Sequence, residues 1–453
     1  MAGIGMLVLA RLGHLDLWDP DEANYAEIAR EMAASGDWVV PHSNYRPYLE
    51  KPPLVFWAAA LAMRVSGATT TAARLPAAIS GLLLITAGAL WARRALPPGG
   101  MLSAALVLAT SLGLLLSSRV GLLDLPLTLC CTVAILGFER RVLAGGGRTG
   151  WWCFYLGMAA GCLAKGLIGV VLPVSVGALA VLWSRPRDLL RRLDPLPGVA
   201  ILLAVTAPWF AAMAFRAPGF LSEFVLEHHV LRYIGEGIPH RRPLPIWGYV
   251  PLLALAGLPW TLYWPGAVAD ASRRVREREP LASLLFAAAG FPVLFFSLSA
   301  TRLPQYILPA IPPLALLVAR HLAAHQVSRK RMGALALAGA ALFMTLELSV
   351  ARPLNAERSL RVLAEAAAQH ARDGETLLSY RLGRPYASVF YSRRRVRFIE
   401  EEVTFDQFIA SPQRFWILID EEERLALERR HRRGFPPLIS RAGRHLITNR
   451  PGP

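Results

Sequence analysis

Two short stretches carry most of the reactive chemistry of an otherwise apolar chain: Asp19-Pro20-Asp21-Glu22-Ala23-Asn24-Tyr25 and Tyr48-Leu49-Glu50-Lys51-Pro52-Pro53. In the first, Asp19 is placed to cap a helix, Pro20 to occupy its first position and Glu22 to close a capping box. Asp21 has no such structural task. At a helix N-terminus its charge is favoured by the macrodipole, and an ionised carboxylate at the mouth of a polar cavity is a suitable general base. Tyr25, Ile28, Ala29 and Met32 follow at helical spacing, which predicts an amphipathic helix lying at a membrane surface and stopping near Ser35-Gly36-Asp37. In the second stretch, Lys51 suits a phosphate and Glu50 offers an oxygen ligand. The plainer alternative is a boundary loop with an ordinary ion pair, closed by two prolines that launch an apolar helix.

The elements that must position these residues are membrane helices. Of 453 residues, 54% are hydrophobic and 18% charged, against about a quarter charged in soluble domains. Apolar runs recur at about 1–13, 72–92, 101–118, 120–138, 151–164, 166–183, 198–215, 246–266, 281–298, 303–322 and 332–351, many approaching the roughly twenty residues that cross a bilayer as a helix. The first is short and begins at Met1. The reading is an all-α polytopic membrane protein, residues 1–351, with a loop at 14–71. A soluble α/β domain follows at 352–453.

The net charge of +17 invites a nucleic-acid partner, but its distribution argues against one. With the N-terminus inside, the arginines and lysine at 93–94, 140–148, 185–192, 273–278 and 320–331 all fall on one side, the positive-inside bias. The tail then faces outward. So do Asp19 through Pro53, Arg119, Asp124, Lys165, Glu227, His228, His229, Arg232, Thr301, Arg302 and Tyr306, which predicts one outward polar cavity built from distant loops. Asp124 and Lys165 interrupt apolar runs, where an ionised group by default faces a cavity or a partner; snorkelling to the interface is the alternative. The four cysteines sit inside expected spans as small apolar fillers, so no disulfide framework is expected.

The motifs Trp18-Asp19-Pro20-Asp21-Glu22, Tyr25 to Met32, Gly36-Asp37-Trp38 and Glu50-Lys51-Pro52-Pro53-Leu54 resemble the first periplasmic loop of the aminoarabinose transferase-like and protein mannosyltransferase-like glycosyltransferases. These are integral-membrane enzymes of the GT-C fold. The resemblance continues, in order, at Asp124-Leu125-Pro126-Leu127-Thr128, Ala164-Lys165-Gly166, His229-Val230-Leu231-Arg232-Tyr233 and Arg302 to Pro309. It implies about 11–13 transmembrane helices and transfer of a sugar from a polyprenyl phosphate to a lipid or protein acceptor, lipid A among them, at the periplasmic face of the bacterial inner membrane. It implies Asp21 as the main catalytic carboxylate with Glu22 beside it and Asp124 also in the site. Lys51 would hold the carrier phosphate, helped by Arg302, Lys165 and Arg232, while Tyr25, Tyr48 and Tyr306 line the cavity. Glu50 with His229, or His228 in its place, matches positions that can bind a divalent metal such as zinc. No nucleotide cofactor is implied, because the donor is a lipid; Gly145-Gly146-Gly147 reads as a flexible turn. Two departures stand out. Asn24 occupies a position that is basic in the aminoarabinose branch, and the chain is shorter than typical members. A glycolipid transporter or flippase would share the spans and the cavity, but no internal repeat is evident.

In the tail, an alanine-rich helix is expected over Glu357–Arg372, strands over Thr376–Tyr380, Val396–Ile399 and Phe415–Ile419, and a charged helix over Glu421–Arg433. Its basic runs, Arg393-Arg394-Arg395 and Arg429 to Arg433, read as a solvated face or a contact for anionic lipid.

Overall fold

A computed structural model of the chain describes residues 2–186, 188–235, 244–372 and 375–450. It divides into two compact units, one formed by residues 1–12, 49–58 and 74–345, the other by 13–48, 59–73 and 346–453.

The first unit is a bundle of apolar helices. Across the described residues of the whole chain, five helices are long and apolar enough to cross a bilayer: Thr70–Ala95, Leu189–Arg216, Pro280–Leu298, Pro304–Ala324 and Arg329–His370. A sixth span results if Ile246–Ala256 and Trp260–Arg276, bent by 107°, count as one. Eleven runs were expected, and the difference has a local cause. The run at 101–118 is broken at Ser111, whose extended ψ of 122° separates Gly100–Thr110 from Leu112–Ser117. The runs between 120 and 183 fold as helices of 15, 18 and 17 residues, Asp124–Phe138, Arg148–Lys165 and Ile168–Ser184. Hydropathy averaged over a window does not register such breaks. The protein is nonetheless a multi-pass membrane protein.

The pair Asp124–Phe138 and Arg148–Lys165 sets the position of the polar groups. The two helices run antiparallel, so the first residue of one lies beside the last residue of the other. They approach closely because glycines line the seam: a Cβ on Gly137 would lie 2.7 Å from the Gly150 carbonyl oxygen and the Phe154 nitrogen, and one on Gly157 would lie 2.9 Å from the Ala134 nitrogen. Such small-residue contacts are how membrane helices pack without a hydrophobic drive between them. Gly157→Leu should force the pair apart, lower the unfolding temperature by an overpacking cost of about 1–3 kcal/mol, and draw Lys165 away from Asp124.

The second unit is α/β. Strands β1 (His42–Ser43) and β2 (Arg46–Pro47) form a small hairpin. Strands β3 (Thr376–Tyr380), β4 (Val396–Ile399), β5 (Phe415–Asp420), β6 (Ile439–Arg441) and β7 (Arg444–Thr448) form one mixed sheet in the order β4-β3-β5-β7-β6. β3 is parallel to both its neighbours, and β7 is antiparallel to both of its own. The three expected strands are present. The expected helix over 357–372 is split into Arg352–Arg358 and Arg361–His370, because Ser359 turns extended and donates its hydroxyl to Asp16 at 2.7 Å. Helices Tyr386–Ser392 and Glu402–Ala410 and the β6–β7 hairpin were not expected. The hairpin turns at Ala442 and Gly443, both at positive φ, and alanine there is a weak turn signal.

This unit draws the first loop onto the tail. Asn44 both donates to the Val396 carbonyl (2.7 Å) and accepts from its amide (3.0 Å), extending the edge of the sheet. Leu17 donates its amide to the Tyr391 hydroxyl at 2.9 Å, and His14 pairs with Glu347 at 3.1 Å. On the sheet, burial works to raise the Glu375 carboxyl, but the Trp416 indole N–H at 2.8 Å, the Arg372 amide and the nearby arginines outweigh it and hold it below its usual 4.5. A depressed folded value stabilises the fold above about pH 4.5, and the contribution is lost as pH falls through the lowered value. Glu375→Gln should therefore flatten the acid side of the unfolding-temperature profile of the protein.

Candidate active site

A cavity of about 310 Å³ opens in the first unit, lined by Lys51, Asp124, Lys165, His228, Arg232 and Tyr306 among its polar groups. Phe295, Phe296, Tyr233, Leu127, Ile168 and Val171 supply much of an apolar wall. The volume is at the lower end of small-molecule sites. Asp124 stands at the first turn of its helix and Lys165 at the last turn of the antiparallel neighbour, each at the helix end whose dipole favours its charge. Their side chains meet in an ion pair, 7% and 12% exposed. The Lys165 ammonium also sits 4.6 Å from the centre of the Tyr306 ring, a cation–π contact. Arg232 donates to the Tyr306 hydroxyl at 3.3 Å, and the Thr301 hydroxyl donates to the Arg232 carbonyl at 3.2 Å. Tyr306 thus stands between two cations, held by the 3₁₀ stretch Pro304–Ala310. Three cations face one carboxylate along the lining, which suits an anionic ligand with an apolar portion.

His228 lies within a π-helical stretch, Ser222–Leu231. Its Nδ1 is 3.9 Å from Glu50 and its Nε2 is 3.7 Å from Glu223. Burial, followed by the charges of Glu227 and Glu50, raises the Glu223 carboxyl above its usual 4.5. The two carboxylates approach opposite nitrogens of one ring, so the three groups do not converge on a single point. The side chain of His229 lies outside the described residues. Among the described residues, the His, Cys, Asp or Glu cluster with metal-site spacing is Asp270, His321 and His325, away from the expected ligands.

Two expected contributors stand elsewhere. Arg302 is not among the cavity-lining residues: its guanidinium donates to the backbone carbonyls of Leu244 and, at 2.6 Å, Ser299. Arg119 caps the first helix, donating to the Ala10 carbonyl at 2.6 Å and to the carbonyls of Leu7, Val8 and Arg11. Thr301 lines the cavity as expected, while Ser299, Phe295 and Phe296 also line it and were not singled out from sequence. The aromatic pair sits in an apolar run that reads as lipid-facing, and its one distinguishing signal is closeness to Arg302-Leu303-Pro304.

The acidic block belongs to the second unit, on the helix Asp21–Ser35. Its capping differs from expectation. Pro20 is the N-cap and no side chain caps the helix there; Asp19 instead accepts from the Ala387 amide at 2.9 Å. Glu22 reaches back to the Trp18 amide at 3.0 Å. Nor does the helix lie as an amphipathic surface element. Glu22, Asn24, Glu27, Arg30 and Glu31 are buried along with the apolar face. Arg30 donates twice to Glu27, at 2.6 and 2.7 Å, so each side chain finds its partner inside the fold. Glu31 accepts from the Tyr45 amide at 3.0 Å, and Asn24 accepts from Ser43 at 2.5 Å. Asp21 and Tyr25, four residues apart and on one face, are only half-buried. Tyr48 is buried, its amide donating to the Pro41 carbonyl at 2.8 Å.

Residues 50–211 match the family model described as dolichyl-phosphate-mannose-protein mannosyltransferase. The chain is 35% identical over 340 residues to the undecaprenyl phosphate-α-4-amino-4-deoxy-L-arabinose arabinosyl transferase of Pseudomonas aeruginosa strain PAO1, a match covering 74% of this chain and 60% of the relative. It is 34% identical to the protein of the same name from Aeromonas salmonicida, covering 69% and 57%. The chain thus spans about three fifths of the length of the curated relatives it matches. In structure it is similar to ArnT from Cupriavidus metallidurans bound to undecaprenyl phosphate, with a TM-score of 0.84 at 24% identity, covering 99% of this chain and 97% of the other. It is more distantly similar to the Archaeoglobus fulgidus oligosaccharyltransferase in complex with zinc and sulfate, with a TM-score of 0.53 at 13% identity, covering 93% and 67%.

Proposed function

We propose that this chain, which resembles the aminoarabinose transferase-like and protein mannosyltransferase-like membrane glycosyltransferases of the GT-C fold, moves a sugar from a polyprenyl-phosphate carrier to an acceptor. The acceptor is lipid A, another glycolipid or a protein, and the site faces the periplasm across the bacterial inner membrane. The cavity carries this reading: three cations and one carboxylate share its lining with aromatic and aliphatic walls, set among membrane helices. A lipid phosphate has that profile, charged at its head and apolar along its chain. The names of the relatives support it, as does the undecaprenyl phosphate bound in the Cupriavidus structure.

The chemistry follows from the residues. The acceptor oxygen attacks the anomeric carbon and the bond from that carbon to the carrier phosphate breaks. Asp21 takes the proton that the acceptor oxygen gives up. The phosphate leaves as an anion, and Lys51, Lys165 and Arg232 neutralise the charge that develops on it. Asp124 and Tyr306 hold Lys165 in place for that role. Glu22 and Tyr25 flank the base on the same helix. Arg302 acts by fixing the strand of chain that leads to Tyr306. A divalent ion such as zinc would find an oxygen on Glu50 and a nitrogen on His228 or His229, ligands that suit it. Two ligands leave a zinc shell incomplete. Asn24 is tied to Ser43, so the helix itself presents no cation at that position to a donor sugar.

The test is purified protein with a radiolabelled polyprenyl-phosphate sugar and candidate acceptors. Label appearing on an acceptor, with free carrier phosphate released in equal amount, supports transfer. Carrier crossing the bilayer with its sugar bond intact would make the protein a flippase instead.

A further inference from the structure

We propose that Asp270, His321 and His325 form a binding site for one divalent transition-metal ion of the zinc type, separate from the cavity described above. His321 and His325 are four residues apart at the end of helix Ile311–Ala324, so their rings fall on one face. Asp270 projects from the neighbouring helix Trp264–Arg276. One oxygen of Asp270, Oδ2, lies 2.8 Å from His321 Nδ1 and 3.0 Å from His325 Nε2. The three ligand atoms lie within 4.8 Å of one another. Around a tetrahedral zinc with bonds of about 2.0–2.2 Å, neighbouring ligand atoms stand about 3.3 Å apart. The two carboxylate–imidazole distances therefore need to open by only a few tenths of an ångström to admit the ion.

The surroundings orient these ligands. Gly266 leaves room for the His321 ring, since a Cβ there would lie 2.8 Å from its Cε1. The second oxygen of Asp270 accepts from Arg273 at 3.1 Å, the outer hydrogen bond that metal-binding carboxylates keep. Arg273, Arg274 and Arg320 are the nearby cations that would oppose an incoming ion, and Glu279 pairs with the last two, at 3.2 and 2.5 Å. His325 is 55% exposed, so water reaches the fourth position. Two imidazoles and one carboxylate with an open position are a donor set that zinc takes. Bound there, the ion would fasten Trp264–Arg276 to the end of Ile311–Ala324.

The experiment uses full-length, detergent-solubilised protein stripped with a chelator and titrated with Zn²⁺ alone, followed by bound-metal analysis, unfolding temperature and the visible absorption of Co²⁺ in place of zinc. The wild type is expected to bind one ion more than His325→Ala, whose exposed position leaves the fold intact, and to unfold at higher temperature when loaded. The His321→Ala/His325→Ala pair should weaken this site at least ~10-fold, and the His228→Ala variant should keep it. Equal metal content in wild type and the histidine pair, or loss of the ion in His228→Ala alone, would overturn the proposal.

Discussion

Asp21→Asn should abolish sugar transfer while leaving the donor bound. Losing a positioned general base costs about 10²–10⁴-fold in rate, or about 3–5 kcal/mol in the barrier. The amide is nearly the same size and keeps a hydrogen-bonding oxygen, but it does not take a proton. Asp21 is half-buried on the outer face of a helix whose other side packs inward, so the substitution removes chemistry rather than packing. The cations assigned to the phosphate are elsewhere in sequence, so the Michaelis constant for the lipid donor should change little while kcat collapses. Measuring both, with a check that the unfolding temperature is retained, separates the base from a structural role. Transfer at the wild-type rate would remove Asp21 from the mechanism and leave the cavity reading standing.

The second large effect concerns the pair Asp124 and Lys165. Each side chain is nearly buried and each is the other's counter-ion. Removing one partner strands a charge, at a cost of about 3–5 kcal/mol. Asp124→Ala and Lys165→Met should therefore each lower the unfolding temperature sharply. The double variant Asp124→Leu/Lys165→Met replaces both charges with apolar volume, and such replacements are often neutral or better for stability. It should recover most of the lost stability and yet remain unable to transfer sugar, because Lys165 is no longer there to face the phosphate. A double variant as unstable as either single one would show that the pair is not the source of the effect.

Much of the cavity could be read from residues. Asp124 and Lys165 announced themselves as charges in apolar runs, and the antiparallel pairing of two helices that begin and end on them explains why they meet. Arg232 and Tyr306 came through family motifs, and they share a hydrogen bond although 74 positions apart. Arg302 shows the limit of that signal. Its place in a motif said nothing about which backbone carbonyls would occupy its guanidinium. The helix Asp21–Ser35 was placed correctly along the chain, but its polar side was expected to face outward and much of it is buried. Periodicity sees one apolar stripe; it does not see that Glu27 and Arg30 satisfy each other and can go inside. The strand β5 was visible because the continuous apolar run Phe415-Trp416-Ile417-Leu418-Ile419 marks a buried strand. The helix Tyr386–Ser392 was missed because it is seven residues long, too short for a helical period to register.

The joining of Asn44 to Val396 spans 352 positions, and this has a consequence for how the protein is made. At about 5–20 residues per second, the ribosome finishes the acidic loop roughly 20–70 s before the strand that receives it. During that interval the segment waits without its sheet edge, while the intervening helices enter the bilayer. A nascent chain cut short before the tail would carry Asp21 on a segment that lacks this sheet edge. Completion of synthesis is thereby written into the assembly of this unit.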